Sequence, residues 1–392
     1  MRRPSHRRLA VMLCIALGAV GCRERIVEFK PDAVLRTVNG LTAEQSASID
    51  AALGDLFGTP DQPKLPADLP RLVELCDQAA LDQAAGPVAS HEVGVVHGLY
   101  RRHCARCHGV TGDGRGPTAL YQAPYPRDYR RGVFKWKSTY RDAAPTTADL
   151  DRVIEHGVPG TAMPSFRLVS QEERDILRQY VIYLAVRGQT ERALVDFVAN
   201  ELPAHEPLAF EGELRDELIA DYLAPIVDAW ADAETLVVEP SPEPPASDAD
   251  LLVGVEAFHG NIAGCAACHG PNGQGGAQGL ANYQVDYDIW NRDRVLPEPH
   301  EELWRVLERD LPVRQSTPRE LVTPGGAGLV LPHGGASTDD LYRRLHQGIA
   351  GTPMPAYGSL RPGERGVLSE KEIWNLVHIT KAWMERQPVP GD

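Results

Sequence analysis

The sequence predicts an all-α protein built from two tandem copies of one small module, joined by a helical and proline-rich linker. Three observations carry this. A Cys-x-x-Cys-His motif occurs twice, as Cys104-Ala-Arg-Cys107-His108 and Cys265-Ala-Ala-Cys268-His269, and Gly109, Gly112 and Gly114 correspond to Gly270, Gly273 and Gly275 at a constant offset of 161. Each copy then closes on an amphipathic run with a capping-box start: Ser170 with Glu173 leads Ile176, Leu177, Val181 and Leu184 up to Arg187, and Ser369 with Glu372 leads Ile373, Leu376, Val377 and Trp383 up to Arg386. Between the copies, Glu239-Pro240-Ser241-Pro242-Glu243-Pro244-Pro245 reads as a stiff, extended connection.

The elements follow in chain order. Residues 1–21 carry Arg2, Arg3, Arg7 and Arg8, an apolar core from Leu9 to Val20 and then Gly21-Cys22, the order of an export signal. Ala19, Val20 and Gly21 before Cys22 resemble the lipobox of bacterial lipoproteins, with Ala19 where that family usually has leucine. The resemblance implies that Cys22 is lipidated and becomes the mature N-terminus; the alternative is cleavage nearby, with Cys22 a free thiol. Residues 22–89 form an N-terminal segment with a helix over Thr42–Phe57, opened by Thr42 and Gln45 in capping-box spacing, and a proline-rich crossing from Pro60 to Pro70. The first module spans 90–190, and its stretch Val95–Arg102 reads as a helix entering the first motif. Residues 191–250 are the linker, helical to about 235, and 251–392 the second module, entered by a helix over Val253–Phe258.

The modules differ in one place. His108 to Arg127 is 19 positions and His269 to Arg319 is 50, so the second copy holds about 31 extra residues near 281–312. That insertion carries Tyr283, Tyr287, Trp290 and Trp304 in a chain only 6% aromatic, either a local packing cluster or a docking surface.

Composition bounds the function. With 24% charged residues and no apolar run of 18, the body after residue 21 is not membrane-spanning. Removing residues 1–21 leaves 36 basic against 54 acidic residues, a formal charge of about −18. Nucleic acid is therefore excluded as a partner, and a redox protein with a basic docking surface suits the field, which also serves solubility. Seven cysteines divide into Cys14 in the signal, Cys22, four in the motifs and Cys76, which is expected to be a buried, inert thiol.

At this composition a single CxxCH arises by chance with a probability of roughly 0.004, and two far more rarely. Two cysteines at this spacing add across the vinyl groups of a haem, and the next residue, His108 or His269, then faces the iron as a neutral imidazole. Structural zinc on the two CxxC pairs is the competing reading, disfavoured by the histidine that follows each pair and by the export signal. After the signal the chain has three methionines, and two share one frame: Gly160-Thr161-Ala162-Met163-Pro164 and Gly351-Thr352-Pro353-Met354-Pro355, one downstream of each motif. Their equivalence makes Met163 and Met354 the candidate sixth ligands. His97, His103, His156, His259, His333 and His346 hold no equivalent positions in the repeat.

Cys104, Cys107, His108, Gly112-Asp113-Gly114, Pro117 and Met163, with Cys265, Cys268, His269 and Met354, resemble class I c-type cytochromes over roughly 90–190 and 250–387. The resemblance implies two tandem cytochrome c-like domains and two covalently attached haem c groups, with iron on His108 and Met163 and on His269 and Met354. It further implies that the backbone carbonyl of Pro117 orients His108; the ungapped second copy has Gln278 there. Arg127 and Arg319 are candidate partners of haem propionates, with surface solvation as the plain alternative. A soft thioether favours Fe(II), and six-coordinate irons leave no open position. The expected function is electron relay between redox partners of a respiratory chain, on the periplasmic side of the cell envelope and tethered to the membrane by the lipid on Cys22. The alternative is a dihaem cytochrome c peroxidase-like enzyme, which needs one labile axial position.

Overall fold

The computed structural model describes residues 27–92, 95–275, 321 and 332–385. The signal, Cys22, Gln278, the insertion and Arg319 lie outside the described residues.

Among the described residues the fold is all-α apart from one short antiparallel hairpin, β1 (Ala89–Glu92) with β2 (Val95–His97). The helix expected over Val95–Arg102 thus starts only at α4 (Leu99–His103), after Gly98 at φ 72°. Val95 and Val96 are β-branched and suit a strand, and a side chain at Gly98 would strike the backbone of Pro87.

Ahead of the hairpin stand α1 (Ala33–Val38), α2 (Ala43–Phe57) and α3 (Gln78–Ala84). Thr42 caps α2 reciprocally with Gln45, as its spacing predicts. After α4 come α5 (Ala105–His108), α6 (Thr147–His156) and the long α7 (Gln171–Asn200). Ser170 caps α7 by accepting from the Glu173 amide, but the helix runs past Arg187 to Asn200. Apolar periodicity loses it there because Thr190 and Glu191 are polar; both are nonetheless buried, and Leu194, Val195 and Val198 continue the inward face.

α7 organises one core that reaches from Phe29 to Ala233 and includes residues on α2, α3 and α4. It also takes in α8 (Gly212–Leu218) and α9 (Ala224–Ala231), joined by a π-helical turn over Ile219–Leu223. A buried ionic knot ties α1 to α7: Glu191, 1% exposed, accepts from Arg36 Nε at 3.0 Å, Arg36 Nη2 at 2.8 Å and the Asp32 amide at 2.8 Å.

A second core runs from Val238 to Met384. It is built on α10 (Asp248–His259), α11 (Cys265–His269), α12 (Thr338–Gln347) and α13 (Glu370–Glu385). The two cores share a crossing design. Tyr100 on α4 meets Tyr180 on α7 at 4.9 Å, and Phe258 on α10 meets Trp383 on α13 at 4.8 Å. Gly254 lets α10 approach α13, since a Cβ there would lie 2.5 Å from the Asn375 carbonyl oxygen.

Candidate functional site

In the first module α4 and α5 meet at Cys104, and Gly109, at φ 75°, turns the chain away directly after His108. The Tyr100 hydroxyl donates to the Gly109 carbonyl at 3.0 Å, fixing that turn from the core side. The glycine loop folds back, with the Gly114 amide on the His108 carbonyl at 2.9 Å and the Tyr129 amide on the Gly112 carbonyl at 2.8 Å. Tyr129 thereby stacks on the His108 ring at 4.7 Å and 18°.

His108 is buried, and its Nδ1 lies 3.0 Å from the Arg127 carbonyl oxygen. A carbonyl only accepts, so Nδ1 carries the proton and Nε2 keeps its lone pair for a metal. Burial lowers the His108 pKa to about 4, helped by the nearby Arg127 charge and opposed by the Arg127 carbonyl, so the ring is neutral at physiological pH. This corrects the expectation for Pro117. The carbonyl that meets His108 Nδ1 is that of Arg127, while Pro117 is exposed. Arg127 therefore supports the site through its backbone, brought under the ring by the close approach of Gly114 to Pro126 and Asp128.

The second module repeats the path. The Gly275 amide bonds the His269 carbonyl at 2.8 Å, and the Leu321 amide bonds the Gly273 carbonyl at 2.6 Å. Leu321 takes the place of Tyr129, without its ring. The counterpart of Arg127 is Arg319, outside the described residues.

The methionine loops match bond for bond. In the first, the Met163 amide donates to Thr161 Oγ1 at 3.1 Å, that hydroxyl to the Val158 carbonyl at 2.8 Å, and the Val158 amide to the Met163 carbonyl at 3.1 Å. In the second, Met354, Thr352 and Ile349 do the same at 3.2, 2.8 and 3.3 Å. Both loops leave a helix through a glycine of positive φ, Gly157 at 67° and Gly348 at 64°. Both dock on their own CxxCH segment through the aromatic residue three places on. Phe166 packs edge-on against His103 at 5.9 Å, and the Tyr357 hydroxyl donates to the Ala263 carbonyl. Sequence reading missed this pair, although extending the repeat by three residues reveals Met-Pro-x-aromatic in both copies.

The residues fit covalently held haem. Burial pushes the Cys104 thiol up to about 12 and Cys265 to about 11, and an uncharged thioether at either position loses nothing by burial. Among the described residues no three His, Cys, Asp or Glu side chains gather as a metal site.

Residues 94–181 match the family model of subunit III of cbb3-type cytochrome c oxidase. No curated protein matches the chain. Among solved structures, the reducing HAO-like protein complex of Kuenenia stuttgartiensis is similar at 22% identity and a TM-score of 0.47, over 73% of this chain and 94% of that one.

Proposed function

With residues 94–181 as a cytochrome c domain, which implies covalently bound haem c, we propose that the whole chain is a membrane-tethered dihaem c-type cytochrome relaying electrons between redox partners of a respiratory chain. Both haems are His/Met-ligated, the first by His108 and Met163 and the second by His269 and Met354. One observation carries this reading: the same hydrogen-bonded methionine loop, docked on the CxxCH segment by the aromatic residue three places on, occurs in both modules.

Haem c held in this way supplies reversible one-electron transfer. The chain does the rest. His108 presents Nε2 because Arg127 holds the proton on Nδ1, and Tyr129 keeps the ring from turning. The threonine-braced loops hold the backbone of Met163 and Met354 in one conformation, and a thioether on each iron would leave no open position for a substrate, which favours outer-sphere transfer over catalysis. Cys22 provides the tether on the periplasmic side of the envelope, and a mature charge of about −18 suits partners with basic docking surfaces. Among the described residues no helix is long and apolar enough to cross a membrane.

Haem content tests the reading. Alkaline pyridine treatment should count two haems per chain, and a count of one would remove the second site. Met163→Leu and Met354→Leu should each abolish about half of the ferric methionine-to-iron charge-transfer band. A high-spin ferric haem in the unaltered protein would favour the peroxidase-like alternative instead.

A further inference from the structure

Three features outside the haem sites compete for a role. Lys135, Lys137, Arg152, Arg343 and Arg344 line a cleft at the seam between the modules, but Arg152 is already paired with Asp340 and Arg343 with the Val238 carbonyl, and no bonded geometry there selects a ligand. Cys76 is a buried thiol already engaged with the Gln179 carbonyl. Arg141 differs, because its bonds converge on a residue already placed at a haem.

Arg141 lies within residues 90–190, on a segment tied to itself and to the linker: Thr139 Oγ1 bonds the Ala144 carbonyl at 2.7 Å, the Tyr140 amide the Leu236 carbonyl at 3.0 Å, and the Val238 amide the Ser138 carbonyl at 2.9 Å. From this anchor the guanidinium crosses the seam. Nη1 donates to the carbonyls of Met354 at 2.8 Å and Gln347 at 3.2 Å, and Nη2 to the carbonyl of Thr352 at 3.0 Å. The Arg141 amide also donates to Gln347 Oε1 at 2.6 Å, and Gln347 Nε2 to the Ser359 carbonyl at 2.9 Å. The start, middle and end of the second methionine loop are thus fixed to one planar fork. Gly348 makes room for it, since a Cβ there would lie 2.4 Å from Nη1.

We infer that Arg141 is a positioning residue for the sixth ligand of the second haem, so that the first module sets the strength of the Met354–iron bond in its neighbour. The inference rests on the reading of Met354 as that ligand. A thioether is a weak partner for Fe(III), and its hold depends on how little freedom the loop regains when the bond opens. Three charge-assisted bonds to backbone carbonyls remove that freedom without touching the sulfur, and only a guanidinium presents donors in a plane wide enough to span them. The first loop is braced differently: His333 Nε2 donates to the Gly160 carbonyl at 3.2 Å, three residues before Met163. The seam therefore treats the two haems unequally.

The test uses the full haem-loaded chain in a Met163→Leu background, where the remaining ferric charge-transfer band reports Met354 alone. Met163→Leu with Met354→Leu should have no band; if a band survives, the ligand reading fails, whatever Arg141 does. With that control met, Arg141→Leu should lower at least ten-fold the concentration of added imidazole that removes half of the band. Arg141→Lys, which keeps the charge and loses the fork, should fall between. A half-removal concentration within two-fold of the background overturns the inference. It is equally overturned if Arg141→Leu, placed in a Met354→Leu background, weakens the first haem's band as much, because the contact would then only hold the modules together.

Discussion

Gly188→Ala should misalign the first haem site from the far side of its core. Gly188 lies within α7, where alanine is the better helix former by about 1 kcal/mol. A Cβ at that position would sit 2.2 Å from Arg130 Cα and 2.5 Å from Arg130 Cβ, against ordinary contacts of 3.4 Å or more. Arg130 must then retreat by about 1 Å, and Tyr129 and Arg127 are on the same short segment. The His108 Nδ1 bond to the Arg127 carbonyl, now 3.0 Å, cannot survive that movement. Overpacking costs about 1–3 kcal/mol, and the lost bond about 0.5–1.5 kcal/mol. Against the helix-propensity gain of about 1 kcal/mol, the net loss is about 0.5–3.5 kcal/mol. Denaturant unfolding followed by far-UV circular dichroism measures it. A redox titration of the same variant should show the first haem rising in potential, because an imidazole without its carbonyl partner is a poorer donor to Fe(III), while the second stays put. A variant as stable as the parent, with both potentials unmoved, would refute the link from α7 through Arg130 to His108.

Further outcomes follow from other contacts. Glu191→Ala leaves Arg36 and Arg187 buried without their shared carboxylate and should cost about 3–5 kcal/mol in the same unfolding assay, whereas a loss below about 1 kcal/mol would show the knot to be dispensable. Tyr357→Phe strands the Ala263 carbonyl and should cost about 1–2 kcal/mol, with spectral changes confined to the second haem. Cys76 donates to the Gln179 carbonyl at 3.2 Å, and burial pushes its thiol up to about 12, so iodoacetamide at pH 8 should label it only after unfolding. In the mature lipidated chain, unfolding should expose one alkylatable thiol by mass spectrometry. A second would mean that Cys22 is free.

Much of this was legible because the chemistry repeats. Two motifs and two methionines in one frame made Met163 and Met354 stand out from the histidines, and Ser170, Ser369 and Thr42 named their helix starts through side-chain chemistry. Other caps escaped a search for glutamate or glutamine at the third position, because Thr146, Ser247 and Ser337 pair with aspartates: Asp149, Asp250 and Asp340. The partner of His108 was illegible for a deeper reason. A backbone carbonyl leaves no mark on residue type, so Arg127 drew attention for its charge and Pro117 for its place in a family pattern. Glu191 likewise reads as a solvated acid until Arg36, 155 positions earlier, is seen against it.

The length of α7 bears on how such a protein can be inherited. The repeated unit is compact in sequence, and duplication needs to copy only that stretch. What folds around the first copy is larger, since one core draws on residues from Phe29 to Ala233 and α7 crosses from the copied region into the segment beyond. A recombination event that swapped residues 90–190 alone would cut that helix ten residues before its end and part Arg187 from Glu191. The first module can be exchanged only by taking its flanks along, so the unit that repeats in the sequence is smaller than the unit that folds.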